Sequence, residues 1–149
     1  MFLEGSETNV DVLKCIVKGC QARAMCMGAG ATVTATQCEF MENASNGVFC
    51  RGANTKARLN NCQMHHNEGD GLVANDRAVV DLHGTKTDIH SNKGHGIHAT
   101  SRGKVNIHLP SQHNTTHDNV GEDRQQEAMY YGGPGSIANI NADGTFTHV

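Results

Sequence analysis

Cys38-x-Phe40-x-x-Asn43-x-x-x-Gly47-Val48-x-Cys50 is followed by Cys62-x-Met64-x-x-Asn67-x-x-x-Gly71-Leu72-x-Ala74, and then by Thr87-x-Ile89-x-x-Asn92-x-x-x-Gly96-Ile97-x-Ala99. The first two copies lie 24 residues apart (38→62, 43→67), the second and third 25 apart (62→87, 67→92). A fixed period of this size is the signature of a solenoid. Each repeat is one coil that cannot bury its apolar face alone and stacks on its neighbours to do so.

The pattern extends in both directions. Subtracting 23 from Val33, Ala35, Cys38, Phe40 and Val48 lands on Val10, Val12, Cys15, Val17 and Met25, all apolar, with Cys20 in place of the Asn and Ala24 in place of the Gly. Adding 25 to Val80, Leu82, Thr87, Ile89 and Gly96 lands on Val105, Ile107, Gln112, Asn114 and Gly121, so this last copy decays at its centre, with His117 where Asn is expected. Four to five turns are expected, spanning residues 9–121.

Each turn holds three short alternating stretches, exemplified by Val33-x-Ala35, Cys38-x-Phe40 and Val48-x-Cys50. Alternation with period two sends one set of side chains inward and the other outward. The expected fold class is therefore all-β: a parallel β-helix of three short parallel sheets around a stacked core, with turns about 4.8 Å apart. The periodic Asn and Gly are expected at tight corners, because both tolerate φ > 0. Residues 1–8 read as a lead-in. Residues 122–149, with the charged run Glu122–Glu127, the loop signal Gly132-Gly133-Pro134-Gly135 and strand candidates around Ile137–Ile140 and Thr145–Thr147, read as a C-terminal cap.

Composition agrees. The 149-residue chain has no Trp, four Phe and two Tyr but 17 Gly, which suits many short strands and tight turns rather than a bulky core. No apolar run is long enough for a transmembrane helix, and Met1–Gly5 resembles no secretory leader. The net charge of −3 argues against nucleic acid as a partner. Six Cys without CxxC spacing are expected to be free thiols, which with the leader's absence favours an intracellular setting.

The repeated Asn-x-x-x-Gly-aliphatic line resembles the right-handed parallel β-helix of the pectin-lyase-like superfamily. Similar repeats occur in polysaccharide lyases, galacturonases, periplasmic sugar-binding β-helices and some F-box proteins. The resemblance implies a right-handed winding over about three quarters of the chain and directs attention to carbohydrate, but function lives in sites grafted on a fold. Gly94-His95-Gly96 matches the Gly-His-Gly of galacturonase-type hydrolases. The Asn-Thr-Asp, paired Asp-Asp and Arg-Ile-Lys of that pattern have no counterpart here, so the acid and base of glycoside hydrolysis are missing. For a lyase, Asp70 and Asp76 with Lys93 or Arg77 are the nearest, scattered, candidates for a calcium cluster and base.

Arranged by column, Cys15, Cys38 and Cys62 face inward as a ladder of small apolar side chains, a poor geometry for zinc. The outward columns of the second stretch place His65, Asp88, His90 and His113 on one exposed patch. This is the candidate catalytic set, able to supply an acid–base pair; read more plainly, it is a hydrophilic solvent face. His83 and His108 form a second outward pair, and Arg58 falls beside Asp81. A Thr-x-Thr ice-binding ladder is excluded, since Thr34 and Thr36 give way to Arg58 and Asn60 on the next turn. The outward column of the third stretch, Cys26, Phe49, Val73 and His98, is mostly apolar, so Phe49, Val73 and His98 are the candidate binding residues.

The expectation is thus a non-catalytic interaction module that binds a protein partner or a glycan on an outward sheet face. The alternative is a carbohydrate-active enzyme acting on an acidic polysaccharide. No cofactor and no metal site is expected, a divalent metal on the His patch being the one exception the residues allow. A homo-oligomer through an exposed solenoid end completes the expected partners.

Overall fold

The computed structural model describes residues 1–110, 115–128 and 132–148. Its strands are β1 (Phe2–Glu4), β2 (Asn9–Leu13), β3 (Ile16–Lys18), β4 (Met25–Gly28), β5 (Thr32–Thr36), β6 (Glu39–Met41), β7 (Val48–Arg51), β8 (Lys56–Asn60) and β9 (Gln63–His65). There follow β10 (Leu72–Asn75), β11 (Val79–His83), β12 (Asp88–His90), β13 (Ile97–Thr100), β14 (Lys104–His108), β15 (Thr116–His117), β16 (Arg124–Glu127), β17 (Ser136–Ile140) and β18 (Phe146–His148). As far as β17, every third strand joins the same sheet. Sheet A runs β1-β4-β7-β10-β13-β16, sheet B β2-β5-β8-β11-β14-β17-β18, and sheet C β3-β6-β9-β12-β15. All neighbours are parallel except β17 and β18. The all-β solenoid expected from the repeat is the fold, in about five turns. Among the described residues no helix is long and apolar enough to cross a membrane.

The registers reproduce the sequence columns. Val80 pairs Ala57 and Val105, Phe40 pairs Val17 and Met64, and Leu72 pairs Val48 and Ile97. The inward side chains make one continuous core, with Phe40, Met64, Leu59, Leu82, Ile89, Ile97 and Ile107 fully buried. Each such side chain contributes about 1.5–3 kcal/mol on burial. The winding passes the 9–121 limits at both ends. β1 extends sheet A through Leu3↔Met27, β16 extends it through Ile97↔Arg124, and β17 extends sheet B through Val105↔Ile137. What lies beyond as a cap is the antiparallel β18.

Three expectations are corrected. First, the periodic Asn and Gly are not the left-handed corner residues. That conformation falls on the residue before each Asn: Glu42 (φ 54°), His66 (55°), Ser91 (54°) and Asp118 (55°). The Asn side chains turn inward instead and bond from turn to turn. Asn43 Nδ2 donates to Asn67 Oδ1, Asn67 Nδ2 to Asn92 Oδ1 and Asn92 Nδ2 to Asn119 Oδ1, each at 2.9 Å. The second amide hydrogen of each reaches a carbonyl of the preceding turn: Phe40 O for Asn67, Met64 O for Asn92, Ile89 O for Asn119. The glycines make room for this ladder, since a Cβ on Gly47 would stand 2.7 Å from Gly71 O and 3.0 Å from Asn67 Nδ2.

Second, the last copy is spaced by 27 residues, not 25. Ile89 pairs Thr116 and His90 pairs His117, so the ladder Asn is Asn119 and the Gly96 position is taken by Asp123. Since Leu82 still pairs Ile107 at spacing 25, two extra residues enter between His108 and Thr116. Third, the inward Cys column is buried only at Cys38 and Cys62; Cys15 is exposed beside β3, the edge strand of sheet C among the described residues. The buried thiols donate across turns, Cys38 to Val12 O at 3.4 Å and Cys62 to Ala35 O at 3.3 Å, and burial pushes Cys62 up to about 11, far from thiolate reactivity.

Candidate functional site

Two sets of outward side chains carry chemistry, one on sheet C and one on sheet A. On sheet C the strand register stacks His65, His90 and His117 on successive rungs. Ring centroids are 4.9 Å apart for His65 and His90 and 5.1 Å for His90 and His117, with planes within 6° of parallel. The adjacent column brings Glu39, Gln63 and Asp88 alongside. Thus His65, Asp88 and His90 do come together. The inserted residues make His117 the fourth member, because Thr115 rather than His113 follows Asp88 in register; His113 itself lies outside the described residues.

The imidazoles of this stack are held by neighbours. His65 Nε2 donates to Glu39 Oε1 at 2.8 Å, and its Nδ1 lies 2.8 Å from His66 Nδ1. His117 spans two carboxylates, Asp118 Oδ2 at 2.8 Å from Nδ1 and Asp88 Oδ1 at 3.1 Å from Nε2. The hydrogen bond to Asp118 is the main reason its pKa is raised above the usual 6.5. His90, between the other two rings, moves the opposite way. Burial disfavours its charged form and is the main cause; Asp88 pulls the other way, and the like charges of His65 and His117 add to the lowering.

On sheet A the corner residues Arg23, Asn46, Asp70 and His95 stand in one column beside the outward column Cys26, Phe49, Val73 and His98. His98 lies between two carboxylates from different turns: Nδ1 is 3.2 Å from Asp70 Oδ2 and Nε2 is 2.8 Å from Glu127 Oε1. The hydrogen bond to Asp70 raises the His98 pKa against the effect of burial. For Asp70 burial acts upward, but the bonds from His98 and from the His95 N–H, at 2.7 Å, hold its carboxyl below the usual range. The rail continues through Asn46 Nδ2 to Asp70 Oδ2 at 3.3 Å and Arg23 Nε to Asn46 Oδ1 at 3.4 Å.

Of the candidate binding residues, Val73 is only 4% exposed, between the Phe49 and His98 rings on adjacent rungs. Phe49 is half-buried with the Arg23 guanidinium 4.0 Å from its ring centre. The apolar stripe is therefore largely inside the surface. Beyond Phe2, which is exposed at the first turn of this column, what reaches solvent on this face is polar: Arg51, paired with Glu4 at 3.1 Å, then Asn75, and Glu127. Sequence reasoning placed His98 in its column and Asp70 among scattered lyase candidates, and so missed their contact, which joins a corner to a strand one turn away. The signal available was an Asp at position 70 in a column whose neighbours are Asn46 and His95.

On sheet B, His83 and His108 stack at 4.1 Å, as their column implies. Asp81 accepts from Asn106 at 2.9 Å and from His108 at 3.1 Å, and these are its bonds in place of an Arg58 pair. Among the described residues no group of three or more His, Cys, Asp or Glu is arranged to hold a metal ion.

Compared with known families, residues 1–120 match the right handed beta helix region. No curated protein and no solved structure matches the chain.

Proposed function

The chain belongs to the right-handed β-helix family, and from that premise we propose that it is a non-catalytic interaction module that holds an extended glycan along the outward face of sheet A. The observation that carries the non-catalytic part is the state of the imidazoles. His98 and His117 each direct both ring nitrogens at carboxylates. A ring that donates from both nitrogens has no lone pair with which to take a proton from substrate, so it cannot begin as a general base.

The choice of glycan over protein rests on the character of the face. A protein interface has an apolar centre, whereas Val73 and Cys26 here are buried. Arg23, Asn46, Arg51 and Asn75 offer guanidinium and amide groups turn after turn, at the roughly 4.8 Å rise of paired strands. Such a rail suits hydroxyls of an extended sugar chain.

The test is a panel of uronate and neutral polysaccharides, scored for binding and for turnover with and without chelator. Binding without cleavage or epimerisation is expected, weakened several-fold by Asn75→Ala. Failure to bind every polymer rejects the reading and returns attention to a protein partner. Turnover instead establishes the alternative, a carbohydrate-active enzyme, which rests on His65, Asp88 and His90 standing together with His117.

A further inference from the structure

All three sheets begin on the first turn, with β1, β2 and β3 as edge strands. The core columns are cut open there. Leu3, Val10 and Val17 are only partly buried, while the residues paired above them, Met27, Val33 and Phe40, are fully buried. Around them Phe2, Leu13 and Ile16 are 65%, 62% and 64% exposed. Three strand edges that are unpaired among the described residues, set around an open apolar centre, form a template for further pairing. At the other end of sheet B, the antiparallel β18 closes the stack.

We infer that the first turn is a docking surface for a second copy of this chain, giving a two-fold dimer joined first turn to first turn. A partner for this surface must present three strand edges in a triangle, and the same turn related by a two-fold axis does so. Facing each other, two coils of one hand superpose one sheet on itself and exchange the other two. The lengths select which: five-residue β2 lies antiparallel to its counterpart, and three-residue β1 lies against three-residue β3 of the second copy.

Side-chain parity then agrees on every edge. Centring β2 on Asp11 sets Val10 opposite Val12 of the second copy, and centring β1 on Leu3 sets it opposite Val17. All four point inward, so the two cores become one. Such an isologous contact is closed and stops at two. The same geometry brings the two Asp11 carboxylates opposite one another on the outside, a like-charge pair that opposes association.

Light scattering on the eluting chain, from dilute to concentrated solution, tests the inference. The wild type is expected to reach twice 16.0 kDa. Phe2→Glu with Ile16→Glu, both at exposed positions, is expected to hold it at one chain while circular dichroism stays unchanged. Asp11→Asn is expected to tighten the dimer about two- to fivefold. A wild type that stays monomeric leaves this end to some other occupant and overturns the inference. So does a dimer indifferent to the double substitution, growth beyond two chains, or an Asp11→Asn dimer no tighter than wild type.

Discussion

Two ladders run up this solenoid two residues apart. Asn67, Asn92 and Asn119 form one; His65, His90 and His117 form the other. They share a period, a strand corner and a planar side chain, yet they do different things. Asn67 and Asn92 are fully buried, with Asn119 half-buried at the end of the ladder, and Asn67 and Asn92 each satisfy the backbone of one turn and the amide of the next. The imidazoles stand on the outer strand face and lean on carboxylates, His65 almost covered at 9% exposure and His90 and His117 half-buried. A repeat therefore certifies that positions stack; burial decides whether the stack holds the fold or merely decorates it.

The sharpest way to break that comparison is Asn67→Ala. It strips acceptors from Asn43 N and Nδ2 and donors from Phe40 O and Asn92 Oδ1, all buried. Leaving several buried groups unpaired is expected to cost about 3–5 kcal/mol, read as a lowered midpoint in denaturant melts. A loss under about 1 kcal/mol would remove the distinction between the ladders.

His98 is the intermediate case, an outward residue 13% exposed and wedged between Asp70 and Glu127. Its pKa is raised above 6.5, so its contribution is whole below about pH 6.5 and fades as pH rises through the folded value. Asp70 is lowered from 3.8, so its share is present above about pH 3.8 and fades as pH falls through its own folded value. The pair thus stabilises most between these limits. His98→Gln is expected to cost about 1.5–3 kcal/mol at pH 5.5 and distinctly less at pH 8.5. A pH-independent cost would mean packing, not charge, is what His98 supplies.

The smallest effect belongs to His90. Its folded pKa is depressed, so native stability is eroded as pH falls below the unfolded 6.5. His90→Gln is expected to change melts by under about 1 kcal/mol, and in the stabilising direction only at acid pH. NMR titration should place His90 below 6.5 and His117 above it; the reverse order would undo the assignment of their neighbours.

Most of the winding could be read from the chain itself, because alternation and period are local properties. The registers Val33↔Ala57 and Leu82↔Ile107 follow directly from counting. Counting fails where residues are inserted, so the 27-residue spacing before Thr116 displaced His117, Asn119 and Asp123 from their expected places. It also fails on purpose: Asn and Gly suit left-handed corners in general, but here Glu42, His66 and Ser91 take that conformation. The reason lies across turns, in the amides and carbonyls that Asn67 must reach and the space that Gly47 must leave.

The sequence by itself determined the coil: its period, its three sheets and which side chains stack, since a two-residue alternation leaves each strand one face to bury. Only the tertiary structure decided the fate of each column. Whether a ladder is sealed, as for Asn67, covered from outside, as for Val73 between its flanking rings, or bridged to a carboxylate a turn away, as for His98, depends on what neighbouring turns bring close. That proximity is set by packing in three dimensions, which no spacing along the chain encodes.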